Sequence, residues 1–200
     1  MTVTKDELLQ HLRTFTSEAR KQEFLEGLLK KNLETDVKIT ALTTLAEVFI
    51  GKKMFSLGAR NYGYAGDLAN TFREKIDLYF KTAVLYLRSA DYITADDFFR
   101  KVLVLSATKD KEPIKQKIIT LYLEHAQGYE QEKQQTKAIA AYNRILMLGL
   151  PMVKHNEICL KLAALYDKIG RPRDGAQAKS QIRTEERRLE EKKYTAQDFI

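Results

Sequence analysis

Tyr79, Ala83, Tyr86, Ala90, Tyr92, Ala95 and Phe99 follow one another through the stretch YFKTAVLYLRSADYITADDFFRKVL. Small and aromatic residues in this order describe two short helices packed face to face. The small side chain lets two backbones approach, and the aromatic one turn away fills the space beside that contact. Neither helix can bury such a stripe alone, whereas stacked hairpins bury it jointly. The pattern therefore points to a stack of helical hairpins and away from an enzyme core.

The same signature recurs along the chain. Residues 76–109 carry Tyr79, Ala83 and Tyr86 on a first helix and Ala95, Phe99 and Val102 on a second. Residues 119–152 repeat it with Tyr122, Ala126 and Tyr129, then Ala138, Tyr142 and Ile145. Residues 39–72 carry Leu42, Ala46 and Phe49, then Phe55, Gly58, Tyr62 and Ala65. Residues 156–189 give a weaker copy with Cys159, Leu162, Ala163, Tyr166, Gly170, Gly175 and Ile182. The unit starts lie 37, 43 and 37 residues apart, and the longest connection, ATKDKEP, is expected to form an exposed loop. Pro113, Pro151 and Pro172 fall between apolar segments of helical period, where helices should stop. No segment alternates in the manner of a strand hairpin, so the fold class is all-α.

Spacing and residue types resemble the tetratricopeptide repeat (TPR), a unit of about 34 residues with small and aromatic residues on its first helix and Ala-x-x-x-aromatic on its second. The resemblance covers residues 39 to about 185, with degenerate copies: the chain has no tryptophan and lacks a proline at most repeat ends. It implies antiparallel helical-hairpin repeats stacked in a right-handed α-solenoid, one structural domain overall. Residues 1–38 would be an N-terminal capping hairpin, residues 39–180 the four repeats, and residues 181–200 the end of a charged helix and a tail. Thr4 and Glu7 have capping-box spacing, which places a helix start before ELLQHLRTF, and a second helix is expected from Ser17 to about Lys31. Gln177 to Lys193 reads as a long charged helix closing the stack, followed by YTAQDFI.

A chain of 200 residues can bury a core that needs no metal or disulfide. Cys159 is the only cysteine, the opening MTVTKDELLQHLRTF is too charged for a signal peptide, and no apolar run is long enough to cross a bilayer. A soluble, intracellular, cytoplasmic protein is the expectation. The formal charge of +7 is uneven, +1 over residues 1–100 and +6 over residues 101–200. Lys168, Arg171, Arg173, Lys179, Arg183 and Arg187 contribute to a basic run interrupted by glutamates. Such a run is ordinarily a solvated helix face, and alternatively a seat for nucleic acid.

Catalytic patterns are missing. His11, His125 and His155 have no metal-ligand spacing, and Cys159 has no cysteine partner. IGKKMFS places Lys53 where a phosphate loop needs Ser or Thr and lacks the upstream glycine. The sequence offers no cofactor or metal site, and an enzyme is not expected. In NYGYAG, Gly63 and Gly66 weaken a helix, so they serve close packing or an early helix end, or else a flexible aromatic contact surface.

In tetratricopeptide proteins the first helices line a concave groove that takes an extended peptide or a partner helix, and the resemblance implies the same here. The register places Thr43, Glu47 and Ile50 there from the first unit, and Asp77, Phe80, Val84, Leu87 and Arg88 from the second. Leu123, Gln127 and Glu130 follow from the third, and Leu160, Ala164 and Lys168 from the fourth. Phe80, Val84, Leu87, Leu123 and Leu160 would make an apolar strip edged by charge, unless the terminal tail covers it. Thr43 and Glu47 stand where the carboxylate-clamp subfamily carries Lys and Asn, which argues against the acidic chaperone tails that subfamily grips. The expected function is a non-catalytic adaptor or scaffold binding another protein. RNA binding through the basic half and structural self-association are the alternatives.

Overall fold

The computed structural model describes residues 4–183, and these form ten helices with no strand. They are α1 (Lys5–Arg13), α2 (Glu18–Leu29), α3 (Thr35–Gly51), α4 (Phe55–Leu68), α5 (Phe72–Arg88), α6 (Tyr92–Leu105), α7 (Thr108–Gln131), α8 (Gln135–Leu146), α9 (Met152–Lys168) and α10 (Pro172–Ser180). The chain divides into two compact units, one of residues up to Gln116 and one from Lys117 onward. Within each, helices pack against their neighbours in sequence.

One turn is used four times. Lys53, Ala90, Lys133 and Gly170 have φ of 59°, 61°, 57° and 72°, and each sits between the two helices of a hairpin. In every case the amide of the next residue reaches back to an aromatic residue's carbonyl: Met54 to Phe49 at 2.9 Å, Asp91 to Tyr86 at 3.0 Å, Gln134 to Tyr129 at 2.8 Å and Arg171 to Tyr166 at 2.9 Å. The positive-φ residue itself donates three residues back, to Ile50, Leu87, Glu130 and Asp167. These paired bonds are the Schellman closure, which satisfies the last carbonyls of one helix and redirects the chain. The four turns lie 37, 43 and 37 residues apart, the offsets of the repeating signature. Hairpins α3–α4, α5–α6, α7–α8 and α9–α10 are thus one design.

The first unit has two apolar layers that share α3. Leu8 and Leu12 of α1 and Leu25 and Leu28 of α2 pack on Val37, Ala41, Leu45 and Phe49. The other side of α3, with Ile39, Leu42 and Ala46, packs on Ala59, Tyr62 and Ala65 of α4 and on Leu78 and Leu85 of α5. A helix covered on two sides keeps only a narrow outward stripe. The Thr4–Glu7 capping box is present: the Glu7 amide donates to the Thr4 hydroxyl at 3.3 Å and the Thr4 amide to the Glu7 carboxylate at 2.9 Å. Helix α2 matches the expected span, with Ser17 as its N-cap residue. In the second unit Tyr122, Tyr142, Ile145 and Leu162 are among the most deeply buried side chains.

Two expectations are corrected. ATKDKEP is not a loop: α7 begins at Thr108 and runs through Pro113, so it has 24 residues where α3, α5 and α9 have 17. Lysine and glutamate favour helix, and Pro113, in the second turn, removes the bond its amide would have made to the Lys109 carbonyl and crowds that carbonyl without ending the helix. The longer offset is therefore absorbed as extra helix. The helix expected over Gln177–Lys193 instead ends at Ser180, with Gln181 as its C-cap, and the rest of that segment from residue 184, with YTAQDFI, lies outside the described residues.

Candidate interaction surfaces

The hairpin register leaves one stripe of each first helix facing outward. On α5 it consists of Asp77, Lys81, Val84 and Arg88, spaced so that they lie above one another. Asp77 and Lys81 pair at 2.8 Å, and the Arg88 guanidinium sits 5.8 Å from the centre of the Phe55 ring on α4. The Lys81 ammonium lies 5.7 Å from the Tyr62 ring. Burial, reinforced by the carboxylates of Glu47 and Asp77, pushes the Tyr62 hydroxyl up to about 12. Lys81 of α5 thus links Asp77 on its own helix to the Tyr62 ring of α4 on the first unit.

This surface is more polar than the sequence suggests. Leu87 is fully buried and leaves the expected groove set. Phe80 is half-buried, with its ring 5.6 Å from that of Phe99 on α6. Both lie on the flank of α5 because the helix has neighbours on more than one side. Thr43 spends its hydroxyl locally, donating to the Thr40 carbonyl at 3.0 Å. Asp77, Arg88 and Glu47 are exposed, while Val84 and Ile50 are half-buried.

In the second unit, Gln127 of α7 is exposed and Leu123 half-buried. On α9 the outward stripe is mixed: Leu160 is 55% exposed, Val153 lies two turns before it and Ala164 one turn after, with exposed Glu157 between Val153 and Leu160. Glu130 is drawn inward to accept a short hydrogen bond from the Tyr142 hydroxyl, and the Lys161 ammonium approaches that hydroxyl at 3.3 Å. Burial and this carboxylate push the Tyr142 pKa well above its ordinary value.

A cleft of about 580 Å³ lies on the α5–α6 hairpin, lined in part by Tyr79, Phe98 and Lys101. Sequence reasoning did not find it, because it depends on how closely α4 approaches. A Cβ at Gly63 would stand 3.3 Å from the Phe98 ring, and one at Gly66 would stand 2.7 Å from the Tyr79 ring. The glycines of NYGYAG thus serve close packing, the first of the readings considered for them.

The basic C-terminal residues are interleaved with carboxylates. Arg171 pairs with Asp174 at 2.6 Å and Lys179 with Asp167 at 3.9 Å, while Lys168 and Arg173 are exposed. Arg183 is held through its backbone, exchanging two 2.9 Å hydrogen bonds with the Asn156 side chain. Arg187 lies outside the described residues.

His155 and Cys159 share one side of α9, with Nδ1 and Sγ 3.6 Å apart, and both are buried. Burial pushes the thiol pKa up and the imidazole pKa down, which leaves both groups neutral near pH 7. That is the reverse of what a thiolate nucleophile needs. His11 packs between Phe15 and Phe24, at 5.1 and 4.6 Å, and His125 lies 5.7 Å from Tyr129. Among the described residues no three His, Cys, Asp or Glu side chains are placed to share a metal ion, and no helix is long and apolar enough to cross a membrane.

No protein-family model matches the chain, and no curated protein is significantly similar to it.

Proposed function

We propose that this chain is a non-catalytic protein-interaction module of tetratricopeptide-like build, which binds a segment of a partner protein on the outward stripes of its first helices. The observation that carries the reading is the fourfold Schellman hairpin. Repeating one turn at near-constant offset gives successive first helices equivalent places in their hairpins. On the first unit the stripe offers Glu47, Asp77 and Arg88 around half-buried Val84; on α9 it offers Leu160 and Ala164 beside Lys168. Apolar burial would supply affinity and the charges would set register and association rate. Nucleic-acid binding has weaker support, because Arg171 and Lys179 already face carboxylates.

The test is recovery of partner protein from the native cell with Asp77→Lys and Leu160→Glu variants of the tagged full chain. Both positions are exposed, so helical content should be unchanged while recovery falls at least several-fold. Recovery by both variants equal to that of the unaltered chain contradicts the assignment.

A further inference from the structure

The α5–α6 cleft lies on a different side of α5 from the stripe just described. Lys75 and Tyr79, which line it, are displaced about 200° around α5 from Asp77 and Lys81. What it could hold is therefore a separate question from the proposed function and does not rest on it.

The floor of the cleft is built deliberately. Gly63 and Gly66 let the Phe98 and Tyr79 rings seat directly on α4; a Cβ at residue 66 would push the Tyr79 ring out, and one at residue 63 would crowd Phe98. Asp67 then fixes Tyr79 by accepting its hydroxyl at 2.7 Å, and the two rings lie 5.5 Å apart. Val104 and Leu105 extend this apolar floor, and Val104 is 71% exposed. An apolar surface so placed is suited to covering by another apolar side chain.

The rim is positive. Lys75, Arg100 and Lys101 face it against a single carboxylate, Asp97, which is already paired with Arg100 at 3.1 Å. Among the described residues Lys101 makes no ion pair: its ammonium lies 4.5 Å over the Phe98 ring and 5.3 Å from the Tyr79 ring. A cation held over aromatic faces keeps its N–H groups directed outward and available to an anion. Three cations thus flank an apolar floor against one carboxylate among the described residues.

Nucleic acid would need an open ring face on which to stack a base. None is offered here. One neighbour of Phe98 is the Lys101 ammonium and another is Tyr86, stacked at 5.9 Å and 21°, while Tyr79 is buried. A volume of about 580 Å³ lies within the roughly 300–1,000 Å³ of ordinary ligand pockets and suits one anchoring side chain with its flanking backbone.

We infer that the α5–α6 cleft is a second docking site, which takes a short acidic peptide segment of a partner protein: an aliphatic or aromatic side chain on the Phe98–Val104 floor, flanked by carboxylates that pair with Lys75 and Lys101. The glycine pair of NYGYAG exists to hold that floor in place.

The experiment is selection of a phage-displayed library of random twelve-residue peptides on the full chain, followed by fluorescence anisotropy with the enriched peptides. The expected winners carry Asp or Glu on both sides of an apolar residue, bind at least tenfold more weakly to the Lys75→Glu/Lys101→Glu double variant, and bind equally to Asp77→Lys, which alters the opposite face. Circular dichroism of the double variant checks that it folds, since Lys101 is exposed but Lys75 is half-buried. Failure to enrich any sequence, winners without acidic residues, or affinity unchanged in the double variant would overturn the proposal. So would a labelled twelve-nucleotide uridine RNA that binds more tightly than the peptides and loses binding in the same variant, because that assigns the cleft to nucleic acid.

Discussion

The carboxylate of Asp67, at the end of α4, accepts the hydroxyl of Tyr79 on α5 at 2.7 Å. Glu130 and Tyr142 repeat the arrangement in the second unit, again between residues twelve apart on consecutive helices. A buried phenol needs a partner, and a carboxylate at the edge of the core supplies one while keeping its other oxygen near water. Each pair fastens a helix to its successor, and in the first unit the fastened ring also floors the α5–α6 cleft.

Tyr79 can lie so close to α4 only because residue 66 has no side chain. In Gly66→Ala the new Cβ would sit 2.7 Å from two ring carbons, so the ring must move and its bond to Asp67 must stretch. The overpacking cost of about 1–3 kcal/mol exceeds the gain of about 1 kcal/mol in helix propensity. Urea denaturation should therefore show a lower midpoint. Gly128→Ala, in open space on α7, should raise it. An unchanged midpoint for Gly66→Ala would contradict the close-approach account.

Three of the four hairpin turns hold a non-glycine residue at positive φ, where a Cβ is crowded. Ala90→Gly removes that strain, worth roughly 1–2 kcal/mol, against a backbone-entropy cost of somewhat under 1 kcal/mol. A rise in Tm of a degree or more is expected. Gly170→Ala should move Tm the opposite way, since Gly170 has a φ of 72°. A falling Tm for Ala90→Gly would count against the turn geometry.

Tyr62 and Tyr79 carry hydroxyls pushed up to about 12, both chiefly by burial, with Glu47 and Asp77 adding to the first and Asp67 to the second. A phenol with a higher pKa in the fold than in the unfolded chain stays protonated longer when folded. Its stabilising contribution is complete below the ordinary value of about 10 and is lost as pH rises from there through the folded value. Tm should accordingly fall between pH 10 and 12. Tyr79→Phe should flatten the fall, and an identical slope in that variant would contradict the assignment.

His155 and Cys159 are buried and held neutral. The single thiol should react with a disulfide reagent only as fast as the chain opens, and urea should accelerate it steeply. Rapid modification of the native protein would contradict this burial. For His155 the folded pKa lies below the unfolded one, so its contribution is present above the ordinary histidine range and is lost as pH falls through it.

Much of the fold was legible because tyrosine and alanine at helical spacing report the contact between paired helices. Tyr79, Ala83 and Phe99 are buried as that pattern requires, and the turn offsets match the offsets of the signature. The α7 extension was not legible: a lysine-rich segment containing a proline reads as a loop, yet the helix runs through Pro113 in its second turn. Leu87 was misplaced because α5 has neighbours on both flanks, which a single-helix register does not reveal. Lys53, Ala90 and Lys133 carry no glycine to announce positive φ. The cleft depends on the depth at which Phe98 and Tyr79 seat against α4, a tertiary distance with no local signature.

The central claim is that the uncovered stripes of the first helices meet a partner protein. The most direct measurement places a photo-cross-linking amino acid at Val84, Leu160 or Met147 in turn and irradiates the native cell. Met147, exposed in the turn after α8, lies off the stripes and serves as the reference. The account predicts a discrete higher-mass adduct from positions 84 and 160 that is absent from position 147. Adducts of equal yield from all three positions, or none from the stripe positions, would contradict it.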